Sequence, residues 1–354
     1  MSYTDKRVHA AWQQIEVYRW DADYVRLANE VLLPLSTEYL AGGQSNCYFE
    51  TDWFRGPHLT LALRDGSYTS NDLSRIFERM KELVASVPES QIIEPHEYRL
   101  IHERLKRYEG RSGDAFPWIP DGTVRMIRDN DRVRRIGLAA AEVIDAFQCG
   151  VYLLELHLLA SMDQFRGGAD GYALGVMTKC AAKFSKSGIL AAAPSYMSHA
   201  HGYMGLAGNE SLRAVWENNF QRMRDALIGY VQQCEESALR DSDYEAPDVA
   251  ILGPLNQAFE DENSFKAFVP EEGWVDRIRT RSEFHRRLAG NDRWVSLVAE
   301  DEWFARYRMV VNLMYLHLTK MGLTPHRRFY TCYLIARAAE ELHGVDSLKY
   351  LEGE

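Results

Sequence analysis

Between Cys47 and Arg64 the chain reads CYFETDWFRGPHLTLALR, two runs with apolar and aromatic residues at alternate positions. Alternation with a period of two marks a strand with one buried face. Arg55-Gly56-Pro57 separates the runs, and Gly and Pro punctuate turns, so adjacent strands are expected at residues 47–54 and 58–64. In the second run Leu59, Leu61 and Leu63 share a core face. His58, Thr60, Ala62 and Arg64 share the opposite face, a floor for something polar.

The same reading extends in both directions. IEVYRW, residues 15–20, predicts an opening strand, and Asp21 or Asp23 then caps a helix to about residue 39. Val25, Leu27, Val31, Leu32 and Leu35 line its apolar side, and Ala41-Gly42-Gly43 ends it. A second helix is expected at 72–87, so the first ninety or so residues read β-α-β-β-α. Residues 95–109 are a charged helix, and PWIPDGTVRMI, 117–127, is a loop entering a strand. From Arg132 a helical period takes over, with Ile144, Phe147, Val151, Leu154 and Leu158 on one face. Later helices are expected at 171–185, 195–205, 210–239, 280–288, 293–321 and 324–343, with loops at 240–254 and 261–274. The expected fold is α+β: an N-terminal mixed or antiparallel sheet covered by helices, then a mostly helical part. The parts are 1–130 and 131–354, as two units or as one compact domain.

The chain has 354 residues, 46% hydrophobic, enough for a large core. No uninterrupted apolar run reaches the roughly 18 residues of a membrane helix, and MSYTDKRVHAAW lacks the apolar region of a secretory signal. Five scattered cysteines without CxxC spacing fit reduced thiols in a cytoplasmic protein. With 41 basic against 51 acidic residues, broad contact with a nucleic-acid backbone is not expected, nor is a membrane partner.

Candidate chemistry is sparse. Ser198 and His199, in SYMSHAHGYMG, pair a hydroxyl with an imidazole that titrates near neutrality and so relays protons; a helix cap and a packed ring account for them equally well. His201 points away from His199 on a helix, and no metal set joins them. Phe304, Tyr307, Val311, Met314, Leu318 and Met321 form a core stripe with His317 on its shoulder, read either as a half-buried structural group or as an acid or base. Glu155 and His157 interrupt an apolar run and read as members of a structural pair. Trp53, Phe54, Phe116 and Trp118 flank turns, as core or as pocket wall. Arg125, Arg128, Arg132, Arg134 and Arg135 form one basic run, and Arg277, Arg279, Arg281, Arg286 and Arg287 another. Both read as solvated faces or as a groove for acidic chain. There is no phosphate loop, Ser/His/Asp signature, HExxH or zinc spacing, which leaves a cofactor-free enzyme or a peptide-binding protein with no metal.

Four stretches resemble one family, the lantibiotic dehydratase C-terminal (thiopeptide-type bacteriocin biosynthesis) domain. YFETDWF…PHLTLALR resembles its strand pair, which usually reads like FFIRY…PHLRLRF. Pro57-His58-Leu59 keeps the core of the motif, while Glu50 or Thr51 and Thr60 stand where glutamate-eliminating members use arginines. Residues 117–127 are similar to the family's Pro-Asp-x-Thr-Val segment. LHLTKMGLTPH resembles LHMxxNRLG, whose histidine acts in glutamate elimination; His317 matches it, but Met321-Gly322 replace Asn-Arg. Ser198-His199 resembles the Ser-His pair of stand-alone pyridine synthases.

The resemblance implies an enzyme that matures a ribosomally made peptide. Loss of the elimination arginines points to the pyridine synthase branch, a cyclase/lyase joining two dehydroalanines by a formal aza-[4+2] cycloaddition. Water and the leader peptide are lost and a macrocycle closes. The implied partner is a dehydrated, azole-containing precursor peptide, with a homodimer left open. Implied catalytic residues are Ser198, His199, His317, Tyr307 and Tyr315. Arg55, His58, Arg64, Trp118 and Asp121 would bind substrate, and Arg279, Arg281 and Arg286 the leader. The alternatives are a glutamate-elimination partner of a split dehydratase and a non-catalytic leader-binding scaffold.

Overall fold

The computed structural model describes residues 12–20, 24–40, 46–88, 93–109, 111–129, 131–207, 211–238, 249–268, 270 and 272–352. The chain divides into two compact units, Met1–Ala160 and Ser161–Glu354. The fold is α+β, a small antiparallel sheet in the first unit and a helical second unit.

The sheet holds β1 (Trp12–Tyr18), β2 (Cys47–Asp52), β3 (His58–Arg64) and β4 (Val124–Asp129), in the order β2-β3-β1-β4, all antiparallel. β1 begins three residues before the expected strand and stops at Tyr18, because the Trp20 N–H turns to Asp121 Oδ1 (2.5 Å). β2 ends at Asp52, whose Oδ1 accepts from the N–H groups of Trp53 and Phe54 and starts the turn. There Arg55 and Gly56 have positive φ (62° and 112°), and a Cβ on Gly56 would stand 3.3 Å from the Trp118 side chain. Glycine meets both demands.

Alternation sets the two faces. Ile15, Val17, Phe49, Leu59, Leu61 and Leu63 are fully or almost fully buried. The helix Ser70–Ser86 starts at a capping box, Thr69 with Asp72, and buries Ile76, Met80 and Val84. Residues 24–40 are helical but include π turns at Ala28–Leu32 and Ser36–Leu40. Pro34 lacks an N–H, and the hydroxyls of Ser36 and Thr37 bond back to the carbonyls of Leu32 and Leu33, which loosens the ladder. The caps assigned to Asp21, Asp23 and residues 41–43 lie outside the described residues.

The helix Leu138–Ala160 belongs to the N-terminal unit and packs on β2. By length and composition it passes for a membrane span, with a mean hydropathy of 1.4 over 18 residues. Here it is a core helix held by polar anchors. Asp145 accepts from Trp12 Nε1 (2.8 Å), Gln148 accepts from Arg132 (3.2 Å), and Tyr152 meets Ser36 (2.5 Å).

In the second unit the main helices are Gly168–Phe184, Ile189–Ala207, Ser211–Ala238, Glu302–Lys320 and Pro325–His343. The helix expected at 293–321 is two, Asp292–Glu300 and Glu302–Lys320, because Asp301 caps the second through Phe304 N (2.8 Å). The helix expected at 280–288 likewise starts only after the cap Ser282, at Glu283–Ala289. Of the loop expected at 240–254, residues 240–248 lie outside the described residues, and the rest enters the helix Leu252–Glu260. Ile251, Leu255 and Phe259, four apart and buried, carry the helical signal in that stretch.

Candidate functional site

The polar face of the sheet is the floor of a cavity of about 520 Å3. Register puts Glu50, Thr60, Glu16 and Arg125 in one row across all four strands. Glu50 therefore faces the cavity, directly beside Thr60. Its carboxylate pairs with Arg132, which also pairs with Asp145 and lies over the Tyr48 ring. Arg125 pairs with Glu16 (2.6 Å), and Arg111 with Asp52 (2.6 Å). Burial pushes the Asp52 carboxyl up, but Arg111 and then His58 outweigh it and hold it below the ordinary range. His58 stacks on Tyr18 (4.5 Å), its Nδ1 fixed 2.8 Å from the Gly56 carbonyl oxygen.

Of the residues expected to bind substrate, Arg55, His58 and Arg64 come together on this cavity. Arg55 and Arg64 carry no carboxylate partner among the described residues, so positive charge remains there. Trp118 and Asp121 do not line it. Trp118 packs with Trp20, Tyr98, His102 and Phe116, and Asp121 holds Trp20 N and pairs with Arg19 (3.6 Å). A turn-flanking aromatic in a tight chain reversal finds other rings more readily than an open wall.

In the helical unit the histidines separate. His199 on Ile189–Ala207 has Nδ1 2.7 Å from Tyr315 Oη, which in turn lies 3.1 Å from Cys332 Sγ. Arg328 covers the Tyr315 ring (4.7 Å). Burial, then Arg328, brings the His199 imidazole down to about 4, and burial pushes the Tyr315 hydroxyl far up. Near pH 7 the pair is uncharged and joined by a hydrogen bond. His317 is fully buried rather than half-buried, with Nε2 2.8 Å from Tyr172 Oη. Tyr307 is buried and lines a separate cavity of about 770 Å3 beside Lys186, Trp303 and Phe304. Ser198 does not meet His199; its Oγ lies 3.0 Å from His285 Nε2. His285 went unnoticed in the sequence, 87 residues away and with no motif around it.

A third cavity, about 1210 Å3, is lined by Met197, His201, Met204, Phe284 and Leu348 with charged groups between. Its three glutamates are already paired, and Asp346 accepts from the backbone N–H groups of Leu348 and Lys349. Glu217 is held by Tyr333 and Arg337 and, despite burial, sits at about 2; Glu340 pairs with Arg337 and Glu283 with Arg286. Arg213 and Arg281 also line it and carry no carboxylate partner among the described residues. Of the three arginines assigned to the leader, only Arg281 reaches this cavity. Arg279 and Arg286 are drawn to carboxylates one helical turn away, Asp276 (3.6 Å) and Glu283. Among the described residues no group of three or more His, Cys, Asp or Glu is placed to hold a metal.

Comparison with known proteins adds three findings. A family model described as lantibiotic biosynthesis dehydratase C-term matches residues 12–339. The fold is similar to that of a pyridine synthase, TbtD, from thiomuracin biosynthesis, with a TM-score of 0.71, 24% identity, and coverage of 94% of this chain and 99% of that one. It is also similar to TsrL, with a TM-score of 0.63, 19% identity, and coverage of 96% and 98%. A search of curated proteins gives no match.

Proposed function

Because the chain belongs to the lantibiotic biosynthesis dehydratase C-terminal family, we propose that it matures a ribosomally made precursor peptide, and does so as a pyridine synthase. Two dehydroalanines of one peptide add by a formal aza-[4+2] cycloaddition, then water and the leader leave and the macrocycle closes. The observation that carries this reading is the row Glu50–Thr60 on the sheet cavity. Where eliminating relatives are expected to hold a glutamyl carboxylate with arginines, this chain presents a carboxylate, itself paired with Arg132, and a hydroxyl. A substrate glutamate would find no arginine at those two positions. The fold likeness to TbtD supports the same branch.

The chemistry asks for positioning and small proton movements. Arg55, His58 and Arg64 orient the core peptide. His199 and Tyr315, uncharged near neutrality, pass a proton to and from the amide held as its iminol. His317, bonded to Tyr172 in the core, keeps the helix Glu302–Lys320 in place. Acidic residues of the leader meet Arg281 and Arg213.

The test is mass spectrometry of a dehydrated precursor incubated with the protein. Loss of the leader with macrocycle formation is expected. Loss of glutamate from a glutamylated precursor establishes elimination instead, and binding without mass change establishes a scaffold.

A further inference from the structure

Ser282 stands on the wall of the 1210 Å3 cavity and is wired inward. Its Oγ accepts from His285 N (3.3 Å) and lies 2.8 Å from His285 Nδ1. On the other side of the ring, Nε2 lies 3.0 Å from Ser198 Oγ, on the helix Ile189–Ala207. His285 is only 3% exposed. Gly205 on that helix lets the segment seat, and Gly202, one turn before it, lies under the ring. A Cβ on Gly205 would fall 2.2 Å from the Arg281 carbonyl oxygen, so only glycine lets the backbone before Ser282 approach. A Cβ on Gly202 would touch His285 Cε1 at 3.5 Å.

Burial, then Arg281, brings the His285 imidazole down to about 4, so it is neutral near pH 7. A neutral imidazole has one N–H and one lone pair. With a hydroxyl at each nitrogen, one serine donates into the ring and the other accepts from it. The order nucleophile or donor, imidazole, orienting group is the one by which a hydroxyl is made to exchange protons. Here a hydroxyl stands in the orienting place.

We propose that Ser282, His285 and Ser198 form a proton shuttle whose working end is the Ser282 hydroxyl, acting on a peptide amide or hydroxyl group bound in this cavity. This rests on the reading of the chain as a peptide-maturing enzyme. Ser198 accepts from Nε2–H and so keeps the Nδ1 lone pair toward Ser282. A substrate N–H or O–H bond breaks as its proton passes to Ser282 Oγ, while in the same step the proton Ser282 already carries passes to the departing or carbonyl oxygen. The Nδ1 lone pair accepts the hydrogen bond from Ser282 before and after, so the ring stays neutral and the relay is unchanged. Ser282 is the group that touches substrate; His285 and Ser198 are positioning residues.

Steady-state kinetics on the dehydrated precursor and 15N NMR of the histidine rings test this. Ser282→Ala should lower kcat on the order of 10²-fold with KM within about threefold. Ser282→Thr should recover most of the rate, whereas Ser282→Asn, which caps a helix as well as serine does, should not. The NMR spectrum should show His285 as the Nε2–H tautomer, with its Nδ1 resonance moved by Ser282→Ala and its Nε2 resonance moved by Ser198→Ala. Equal recovery by Asn and Thr reduces Ser282 to a cap and overturns the shuttle. So does a His285 spectrum indifferent to both alanine substitutions. If the wild-type protein leaves the precursor untouched, the proposed function fails, and the ring spectrum still decides the relay.

Discussion

Lowering the pH should loosen the helical unit well before its carboxylates titrate. His199, His201 and His285 are each held down to about 4, by burial first and then by neighbouring cations. In the unfolded chain each titrates near 6.5. Above about 6.5 both states are neutral and the histidines are silent. Between about 6.5 and 4 the unfolded chain binds protons that the folded chain refuses, so stability falls with pH and levels off below about 4. At about pH 5 the difference is roughly 2 kcal/mol per histidine, or about 6 kcal/mol for three independent groups. The sum is somewhat smaller, because His285 is one of the groups opposing the charging of both His199 and His201. For a unit of this size about 5 kcal/mol is worth on the order of 10–20 °C in Tm. Glu217, at about 2, contributes stability that is lost only in stronger acid. Thermal unfolding followed by circular dichroism at about pH 7.5 and about pH 5 measures the drop. His201→Phe supplies the control, since His201 already stacks on Phe284 at 4.7 Å and 4° and a phenyl ring keeps that contact. The variant should lose about 2 kcal/mol less over the same interval. A wild-type Tm that moves by under about 3 °C, or a variant that falls as steeply as its parent, refutes the assignment of these rings as neutral in the folded chain.

Three further outcomes are expected. Arg132→Met should cost about 3–5 kcal/mol in urea unfolding, because Glu50 and Asp145 lose the cation between them; a change under about 1 kcal/mol would mean the network is solvated. His199→Ala should slow turnover by about 10²–10⁴-fold with peptide affinity kept. His317→Gln should instead stay within a few-fold in rate and lose about 1 kcal/mol through the Tyr172 bond; the reverse ranking would exchange their roles. Arg281→Glu with Arg213→Glu should abolish the salt-sensitive part of leader binding in fluorescence anisotropy, whereas Arg279→Glu with Arg286→Glu should leave it nearly intact. Equal effects from both pairs would place the leader outside the cavity.

The strand pair was legible because a period of two needs only local sequence, and it fixed which face would be polar. His58 and Arg64 could be paired with a cavity from that alternation alone. It could not say that Glu50, not Thr51, looks into the cavity beside Thr60, which depends on register across three other strands. The family's Ser-His pair drew attention to Ser198 and His199 as neighbours, yet consecutive helical residues point about 100° apart. Each finds its own distant partner, His285 and Tyr315. That Trp118 and Asp121 lie off this cavity was not legible either: their local context suits a loop, and only the turn at Gly56 shows that the loop is packed against the chain.

The anchored helix Leu138–Ala160 has a consequence for how the protein can be redesigned. By length and composition alone it passes for a membrane span, and on insertion scales an acidic residue near the middle of such a helix weighs about 2.5–3.5 kcal/mol against insertion. Asp145, Gln148 and Tyr152 are partners inside the fold, and with Glu155 they are also the polar positions that set this helix apart from a uniformly apolar one. Hydrophobic substitutions here, attractive for thermostability, would remove those polar positions and with them the bonds to Trp12, Arg132 and Ser36.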